Sequence, residues 1–197
     1  MYDTSRKAKN GWNTYRLSMK IEDIVNLTEG TLTNIPKVQA IEAATVYYSK
    51  VEHGDLFFSS SQEEIDQAIA NGAYAIVYAD DSIVKKDDEL AWIKVSDLQL
   101  AAFKLIRYVI LKKEAQFFLL SEHELTFLKM ILVHKNNISF ISDNWRRAFE
   151  QILNSEVSLF VGTDKELMEL IKPNVSKLKR EVDGYPVSDT LFRTTFK

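Results

Sequence analysis

The chain has 197 residues, of which 46% are hydrophobic, enough for one large or two small domains with a buried core. Its formal net charge of −3 gives no electrostatic support for a nucleic acid or an anionic membrane as partner. The absence of cysteine excludes disulfides, thiolate metal sites and cysteine nucleophiles, and with only three histidines no metal site is expected.

The N-terminal residues 1–18 are polar and basic and lack the apolar region of a secretory signal. We predict a flexible arm there, with Met19 beginning the patterned sequence and offering an alternative start. No apolar run reaches about 18 residues, so no segment is expected to span a membrane. We therefore expect a cytoplasmic protein.

Strands and helices alternate in the first half of the chain. Ser61 is predicted to cap a helix, and Glu64 to complete a capping box there. In chain order, the predicted elements are a helix at 20–30, strands at 40–49 and 55–60, a helix at 61–72, strands at 73–79 and 91–96, and a helix at 97–113.

The second half repeats the alternation, with Asp143 and Asp164 as predicted N-caps and a partly extended tail after Pro173. The predicted elements are a strand at 116–120, a helix at 124–134, a strand at 137–142, a helix at 143–154, a strand at 156–162 and a helix at 164–172. This order is typical of the mononucleotide-binding topology. The whole chain is predicted to be α/β with mostly parallel sheets, divided near residues 112 and 113.

Two motifs of the first half resemble the N-terminal domain of the Mur ligases. They are Gly-Asp-Leu-Phe at 54–57 and Gln-Ala-Ile-Ala-Asn-Gly-Ala at 67–73. The Mur ligases are ATP-dependent enzymes that add amino acids or a dipeptide to the UDP-linked muramyl peptide of the cell wall. The resemblance is closest to the member that adds D-Ala-D-Ala, and it covers residues 19–178.

The resemblance implies a Mur-ligase-like α/β domain at 19–112. It also implies, through the order and spacing of the elements, a truncated ATP-binding domain at 113–197. We expect the latter to be a small three-layer β-α-β-α-β unit similar to a reduced P-loop domain. The C-terminal domain of the family, which binds the incoming amino acid, is expected to be absent.

Several functional motifs of the family are altered in this chain. The Asp-Ser/Thr-Arg triplet aligns with residues 47–49, Tyr-Tyr-Ser. The phosphate loop, Gly-x-x-Gly-Lys-Thr, aligns with residues 121–126, Ser-Glu-His-Glu-Leu-Thr, so that only Thr126 is kept. The metal-binding Glu aligns with Phe160, and the Asn-x-Asn element keeps only Asn144.

The chemistry of phosphate binding makes these changes severe. Glycines let backbone N–H groups surround the anion, and a lysine contacts the β- and γ-phosphates. No glycine lies between Gly72 and Gly162, and Leu125 occupies the lysine position. Glu122 and Glu124 would repel a triphosphate. We therefore predict a degenerate phosphate loop, no ATP hydrolysis and no cofactor.

Other chemistry-bearing residues have simpler interpretations. His123 could be a general base or a ligand, but an exposed histidine at a helix start is the simpler expectation. Residues 145–147, Trp-Arg-Arg, could bind a base or a phosphate, or could form the first turn of a helix with a packed Trp. In the residue pair 47–48, alternation along the predicted strand would point one tyrosine inwards and one outwards.

Two functional hypotheses follow. The first is a non-catalytic Mur-ligase-like binding protein linked to peptidoglycan precursor synthesis. A protein partner, or a second copy of the chain, would dock on the apolar residues of its tail: Tyr185, Leu191, Phe192 and Phe196.

The second hypothesis is a small-molecule binder for a UDP-sugar or nucleotide, or a divergent enzyme. Its site would be the cleft between the two α/β units, lined by Tyr48, Ser49, His123, Thr126 and Asn144. A UDP-linked precursor is the expected ligand, and no nucleic acid or membrane partner is expected. A third reading is that the chain is a piece of a longer protein.

Overall fold

The computed structural model describes residues 17–131 and 138–173, together with short strands at 5–7, 13–15, 176–177, 181–182 and 185–186. The chain divides into two compact units, residues 1–109 and residues 110–197, called here the first and second units. Both contain parallel sheets combined with helices, so the predicted α/β fold is confirmed. No helix within the described residues is both long enough and apolar enough to cross a membrane.

The first unit is built on a sheet in the order β4-β9-β8-β7-β6, in which only β4 runs antiparallel to its neighbour. Two antiparallel pairs, β1 with β2 and β3 with β5, accompany it. Its elements are β1 Ser5–Lys7, β2 Asn13–Tyr15, β3 Met19–Lys20, α1 Ile21–Thr28, β4 Thr31–Leu32, β5 Ala40–Ile41, β6 Ala44–Thr45, β7 Leu56–Phe58, α2 Gln62–Ala70, β8 Ala75–Tyr78, β9 Ala91–Lys94 and α3 Leu98–Lys113. The residues of α3 from 110 onwards belong to the second unit.

The core on the α2 side of this sheet follows from strand alternation. Phe57, Ile76 and Trp92 lie opposite one another on β7, β8 and β9. They form a buried cluster with Ile65 and Ala68 of α2. Because every second residue of a strand faces the same side, one register places all three large side chains against the helix.

Some residues before Met19 are paired or buried. Within the predicted N-terminal arm, β1 pairs with β2. Leu17 is buried, and its N–H donates to the Glu42 carbonyl at 2.7 Å. The buried sequence therefore includes residues that precede Met19.

The predicted strand at 40–49 is wrong. Glu42 separates β5 from β6 because its N–H donates to the Gly54 carbonyl and its own carbonyl accepts from Leu17, so the chain changes neighbours there. The Tyr47 N–H then donates to Thr45 Oγ1 at 3.1 Å, and Tyr48–Lys50 forms a turn of 3₁₀-helix. Side-chain hydrogen bonds of this kind compete with strand pairing, and the sequence pattern does not reveal them.

The N-terminus of α2 confirms Ser61 as N-cap, since Ser61 Oγ accepts from the Glu64 N–H at 3.5 Å. The capping box differs from the predicted one, because a second serine takes part. Glu64 Oε2 accepts from the Ser59 hydroxyl at 2.5 Å, and Ser59 Oγ accepts from the Ser61 N–H at 3.1 Å. The buried hydroxyl of Ser59 thus connects the carboxylate to the backbone donor.

The second unit contains a parallel sheet in the order β11-β12-β10-β13 and an antiparallel pair, β14 with β15. The predicted order of strands and helices is confirmed, but the strand order is not the 3-2-1 arrangement of the mononucleotide-binding half, because β12 lies between β11 and β10. Its elements are β10 Gln116–Leu119, α4 Glu122–Ile131, β11 Ser139–Phe140, α5 Trp145–Asn154, β12 Leu159–Gly162, α6 Lys165–Ile171, β13 Ser176–Lys177, β14 Glu181–Val182 and β15 Tyr185–Pro186.

The N-caps of the second unit bear out one prediction and correct another. Asp164 caps α6 through a hydrogen bond from the Leu167 N–H at 3.0 Å. The cap of α5 is Asn144 instead of the predicted Asp143, since Asn144 Oδ1 accepts from the Arg147 N–H at 3.1 Å. The two residue types cap equally well, so sequence alone does not choose between neighbours.

Candidate functional site

The candidate site lies where β10 and β12 end, in the middle of the second sheet. Parallel crossovers are right-handed, and the connection after β10 leads towards β11 while that after β12 leads towards β13. The two connections therefore lie on opposite faces, and such a point is where open α/β sheets bind ligands. The strand ends are joined by a hydrogen bond of 2.9 Å from the Leu120 N–H to the Gly162 carbonyl.

Packing agrees with this assignment of faces. Leu128 of α4 belongs to a buried cluster with Phe118 and Val161, which are paired across β10 and β12. On the other face, a Cβ added to Gly162 would lie 2.7 Å from Sδ of Met168 in α6. Helices α4 and α6 thus begin at neighbouring strand ends on opposite sides of the sheet.

The turn between β10 and α4 is closed by a capping box. Oε2 of Glu124 accepts two hydrogen bonds from Ser121, one from its N–H at 2.6 Å and one from its hydroxyl at 2.7 Å. Ser121 Oγ in turn accepts from the Glu124 N–H at 3.3 Å. A carboxylate of the chain itself therefore occupies the helix N-terminus, where backbone donors and the helix dipole favour an anion.

The next two residues of this turn also have contacts within the unit. Leu125, which aligns with the lysine of a phosphate loop, packs partly buried against the cluster of Leu128 and Phe118. Thr126 donates its hydroxyl hydrogen bond to the Glu122 carbonyl at 2.8 Å. The one residue kept from the aligned loop thus uses its hydroxyl in the first turn of the helix.

The position aligned with the metal-binding Glu is part of the core. Phe160 of β12 is fully buried and stacks on Phe117 of β10, with ring centroids 4.9 Å apart and an interplanar angle of 16°. Phe117 and Phe160 are register partners in the parallel pair. An aromatic pair stabilises the sheet at the place where the family resemblance implies a metal ligand.

His123 and Asn144 are both at helix N-termini. The exposed side chain of His123 lies in the first turn of α4, as the simpler interpretation predicted. Asn144 is exposed and caps α5. The predicted first turn with a packed Trp is confirmed in part, since Trp145 and Arg146 are half-buried and the Arg146 guanidinium lies 5.8 Å from the Trp145 ring centroid.

Tyr48 and Ser49 lie in the first unit, on the 3₁₀ turn after β6. Both are exposed, and Tyr48 retains 42% of its accessible surface. The two tyrosines differ in exposure, Tyr47 being half-buried and Tyr48 exposed, but the cause is the turn and not the alternation of a strand. The turn is held by Asn71, whose Nδ2 donates to the Tyr48 carbonyl at 2.9 Å.

The five predicted site residues therefore fall into separate groups. His123 and Thr126 share the first turns of α4, Asn144 begins another helix of the same unit, and Tyr48 and Ser49 belong to the first unit. The cleft that they were expected to line involves both units and stays a prediction.

Two residues of the second unit make contacts that are not among the sequence predictions. The sequence predicts Glu124 as a charge that opposes phosphate, and the spacing Ser121-x-x-Glu124 is also that of a capping box. Lys113 ends α3, and its Nζ donates to the carbonyls of Ile152, Leu153 and Ser155 at 3.1, 2.8 and 3.0 Å. Burial lowers the pKa of Lys113 to about 8. No sequence pattern predicts that Lys113 caps the C-terminal end of α5, since the two helices are distant in the chain.

Comparison with known proteins gives no match to any family model and none to any curated protein. Among solved structures, the chain is similar to crystal structure I of MurF from Acinetobacter baumannii, with a TM-score of 0.59, 17% identity, and coverage of 83% of this chain and 41% of the other. It is also similar to crystal structure II of that MurF, with a TM-score of 0.57, 16% identity, and coverage of 91% and 45%. Its fold is Mur-ligase-like.

A further solved structure agrees. It is the UDP-N-acetylmuramoylalanyl-D-glutamyl-2,6-diaminopimelate–D-alanyl-D-alanyl ligase from Acinetobacter baumannii, with a TM-score of 0.57, 17% identity, and coverage of 83% of this chain and 42% of the other. The chain thus spans less than half the length of these Mur ligases. The resemblance to the Mur ligases drawn from sequence motifs is confirmed at the level of the fold.

Proposed function

We propose that this chain is a Mur-ligase-like binding protein that works without ATP hydrolysis and acts in relation to peptidoglycan precursor synthesis. The observation that carries the proposal is the capping box of α4. Glu124 accepts both the N–H and the hydroxyl of Ser121, so the place of an anion at this helix start is taken by a side chain.

The negative charges at the ends of β10 and β12 support the proposal. The helices that begin at the two neighbouring strand ends are capped by Glu124 and Asp164, and Glu122 lies in the same turn as Glu124. A nucleotide triphosphate placed there would meet carboxylates with no lysine to offset them, because Leu125 takes that position. Like charges within a few ångströms disfavour binding, most of all where water is partly excluded.

The rest of the aligned ATP site has structural contacts instead of catalytic ones. Phe160 stacks on Phe117 in the core, and Thr126 donates to the Glu122 carbonyl. The Phe160 ring has no atom that can ligate a metal ion, and the Thr126 hydroxyl would have to give up its bond to the Glu122 carbonyl to donate to a phosphate. Contacts of this kind support a structural role for these residues and not a catalytic one.

The ligand that we propose is a UDP-linked muramyl peptide, because the similar ligase from Acinetobacter baumannii is named for such a substrate. A protein partner, or self-association through the tail, is the other part of the proposal. Of the tail residues proposed for docking, Tyr185 lies in β15, which pairs with β14, while Leu191, Phe192 and Phe196 lie outside the described residues.

The test is calorimetric titration and thermal unfolding of the full chain with ATP, ADP and UDP-linked muramyl peptides, with and without magnesium. A ligand at about 100 times its Kd adds about 2.7 kcal/mol of stability, which thermal unfolding detects. We expect stabilisation by the UDP compounds and none by ATP with magnesium.

Glu124→Gln is the matched variant for the ATP arm. It removes the charge and keeps the cap geometry, and we expect no gain of ATP binding because the lysine and the glycines are still missing. Stabilisation of the wild type by ATP with magnesium, or release of phosphate, would overturn the non-catalytic proposal. If the UDP compounds leave the unfolding temperature unchanged and show no binding heat, the proposed ligand is wrong.

A further inference from the structure

The outer face of α4 has an unusual set of exposed apolar side chains. Met130 is 79% exposed and Phe127 is 51% exposed. The other large exposed apolar side chains in the described part of the chain are Ile35, Tyr48, Val84 and Leu111. Each of these stands on a different loop or helix, whereas Phe127 and Met130 are three positions apart on one helix and so lie on one side of it.

The charges beside this apolar strip have opposite signs at its two ends. A helix turns by about 100° per residue, which places Glu122 and Lys129 on the same flank and His123 and Phe127 on the other, with Met130 between them. Glu122, His123, Lys129 and Met130 are all exposed. The Lys129 ammonium lies 5.4 Å from the Phe140 ring centroid, a contact that holds the cation on its flank.

We propose that two copies of this chain associate by packing α4 against α4 in antiparallel orientation about a two-fold axis. A two-fold axis makes the surface its own partner, so the surface must be complementary to itself. In the antiparallel arrangement each flank meets the same flank of the second copy. Glu122 then faces Lys129 of the second copy, and Lys129 faces its Glu122, so both ion pairs form at once.

The same register fits the apolar residues. A pairing that sets Glu122 opposite Lys129 has its centre between Leu125 and Thr126. At the helix rise of about 1.5 Å per residue, the two Phe127 side chains are then offset along the axis by about 4.5 Å and can touch. Met130 of one copy lies beside His123 of the other. A parallel pairing about a two-fold axis would instead set the flank of Glu122 and Lys129 against the flank of Phe127 in the second copy, and neither ion pair would form.

The size of the face sets the strength of the association. Stable complexes bury roughly 1,200–2,000 Å², and the exposed side of one ten-residue helix supplies less than that. The dimer is therefore weak and reversible, with a Kd in the micromolar range or above. It requires neither the proposed ligand nor the tail, and its failure would leave the nucleotide and UDP titrations unaffected.

Sedimentation equilibrium of the full chain at low salt, over a wide range of concentration, tests the proposal. We expect the wild type to show a monomer–dimer equilibrium. Glu122→Lys alone and Lys129→Glu alone each place like charges opposite one another at two points and should raise the Kd about tenfold. The two variants mixed in equal amounts should associate with each other about as well as the wild type does with itself, and the double variant should recover the wild-type Kd.

Met130→Ser tests the apolar part, with Leu111→Ser as its matched control. Both residues are apolar, on helices and almost equally exposed, at 79% and 78%. Met130→Ser should weaken the dimer and Leu111→Ser should not, while thermal unfolding confirms that both variants fold. A wild type that stays monomeric overturns the proposal. So does a dimer whose Kd is unchanged by the α4 variants, which is the result that an interface in the tail would give. Charge variants that weaken the dimer without recovering it on mixing overturn the antiparallel register.

Discussion

The Gly54 N–H donates a hydrogen bond to the Gly72 carbonyl at 3.0 Å. This contact joins the turn before β7 to the end of α2, so the two motifs that resemble the Mur ligases hold each other. Both glycines have positive φ, +96° and +100°, a backbone conformation in which a side chain is strained. A Cβ added to Gly72 would also lie 3.1 Å from Cα of His53.

Gly72→Ala should therefore destabilise the first unit by about 2 kcal/mol, since the strain adds to the close approach to the His53 backbone. Urea unfolding monitored by circular dichroism measures the change. Gln67→Ala, an exposed substitution in the same helix, is the control and should change the unfolding free energy by less than about 0.5 kcal/mol. Equal stability of Gly72→Ala and the wild type would mean that the turn relaxes freely.

Glu124→Ala should lower the stability of the second unit by about 1 kcal/mol, because the N–H and the hydroxyl of Ser121 both lose their acceptor. Glu122→Ala is the matched control. It removes a carboxylate from the same first turn, and so a similar interaction with the helix dipole, but leaves the cap intact. The free energy of unfolding is measured by chemical denaturation. Equal losses in the two variants would mean that Glu124 stabilises the unit through its charge alone and not through the cap.

Phe160 offers a test of the position that aligns with the metal-binding Glu of the Mur ligases. Phe160→Glu should destabilise the second unit by about 4 kcal/mol or more, since a carboxylate would be buried in place of a stacked ring. Phe160→Leu should cost only about 1 kcal/mol because it stays apolar. Unfolding curves measured with and without magnesium distinguish the outcomes. Recovery of the Glu variant by magnesium would show that a metal site can be restored by one substitution.

The burial of Lys113, whose Nζ donates to three carbonyls at the end of α5, predicts a pH effect. Its pKa in the folded chain is about 8, below the ordinary value of 10.5, because burial disfavours the charged form. Between these two values the unfolded chain binds more protons, so stability rises as pH rises. Below pH 8 both states are protonated and the contribution of Lys113 does not vary.

The measurement compares the wild type with Lys113→Met at pH 7, 8, 9 and 10. Relative to the variant, the wild type should gain roughly 1 kcal/mol per pH unit above pH 8. The full effect of one titrating group is about 1.4 kcal/mol per unit, and partial contact with solvent reduces it. Between pH 7 and pH 8 the difference should be almost constant. A difference that stays constant from pH 8 to pH 10 would mean that the carbonyls offset burial and keep the pKa of Lys113 at or above its ordinary value.

Sequence periodicity predicted most of the elements because their apolar residues repeat at the period that burial requires. Helix α2 is an example, with Ser61 at its start and Ile65 and Ala68 in the core. The strand predicted at 40–49 failed because hydrogen bonds of Glu42 and Thr45 redirect the chain without changing its hydrophobic pattern. The order of the second sheet is a property of crossovers, which local pattern does not determine.

The sequence predicts which residues of the family motif the candidate site lacks, and predicts less well the contacts that its own residues make. Missing glycines and a missing lysine can be read directly from residues 121–126. The new contacts depend on partners that come together only in the fold, as Phe160 does with Phe117. The cap of Glu124 on Ser121 was the exception, since its spacing in the chain is local and could have been recognised.

The place of β12 between β10 and β11 has a consequence for the order in which the second unit forms during synthesis. Both earlier strands pair with β12: Phe117 with Phe160, and Ser139 with the same Phe160. Neither pairing can form until the ribosome has released the chain beyond Gly162. In the first unit, β7, β8 and β9 pair in the order in which they are made. The second sheet should therefore form in one late step, with its apolar strands exposed until then to chaperones and to aggregation.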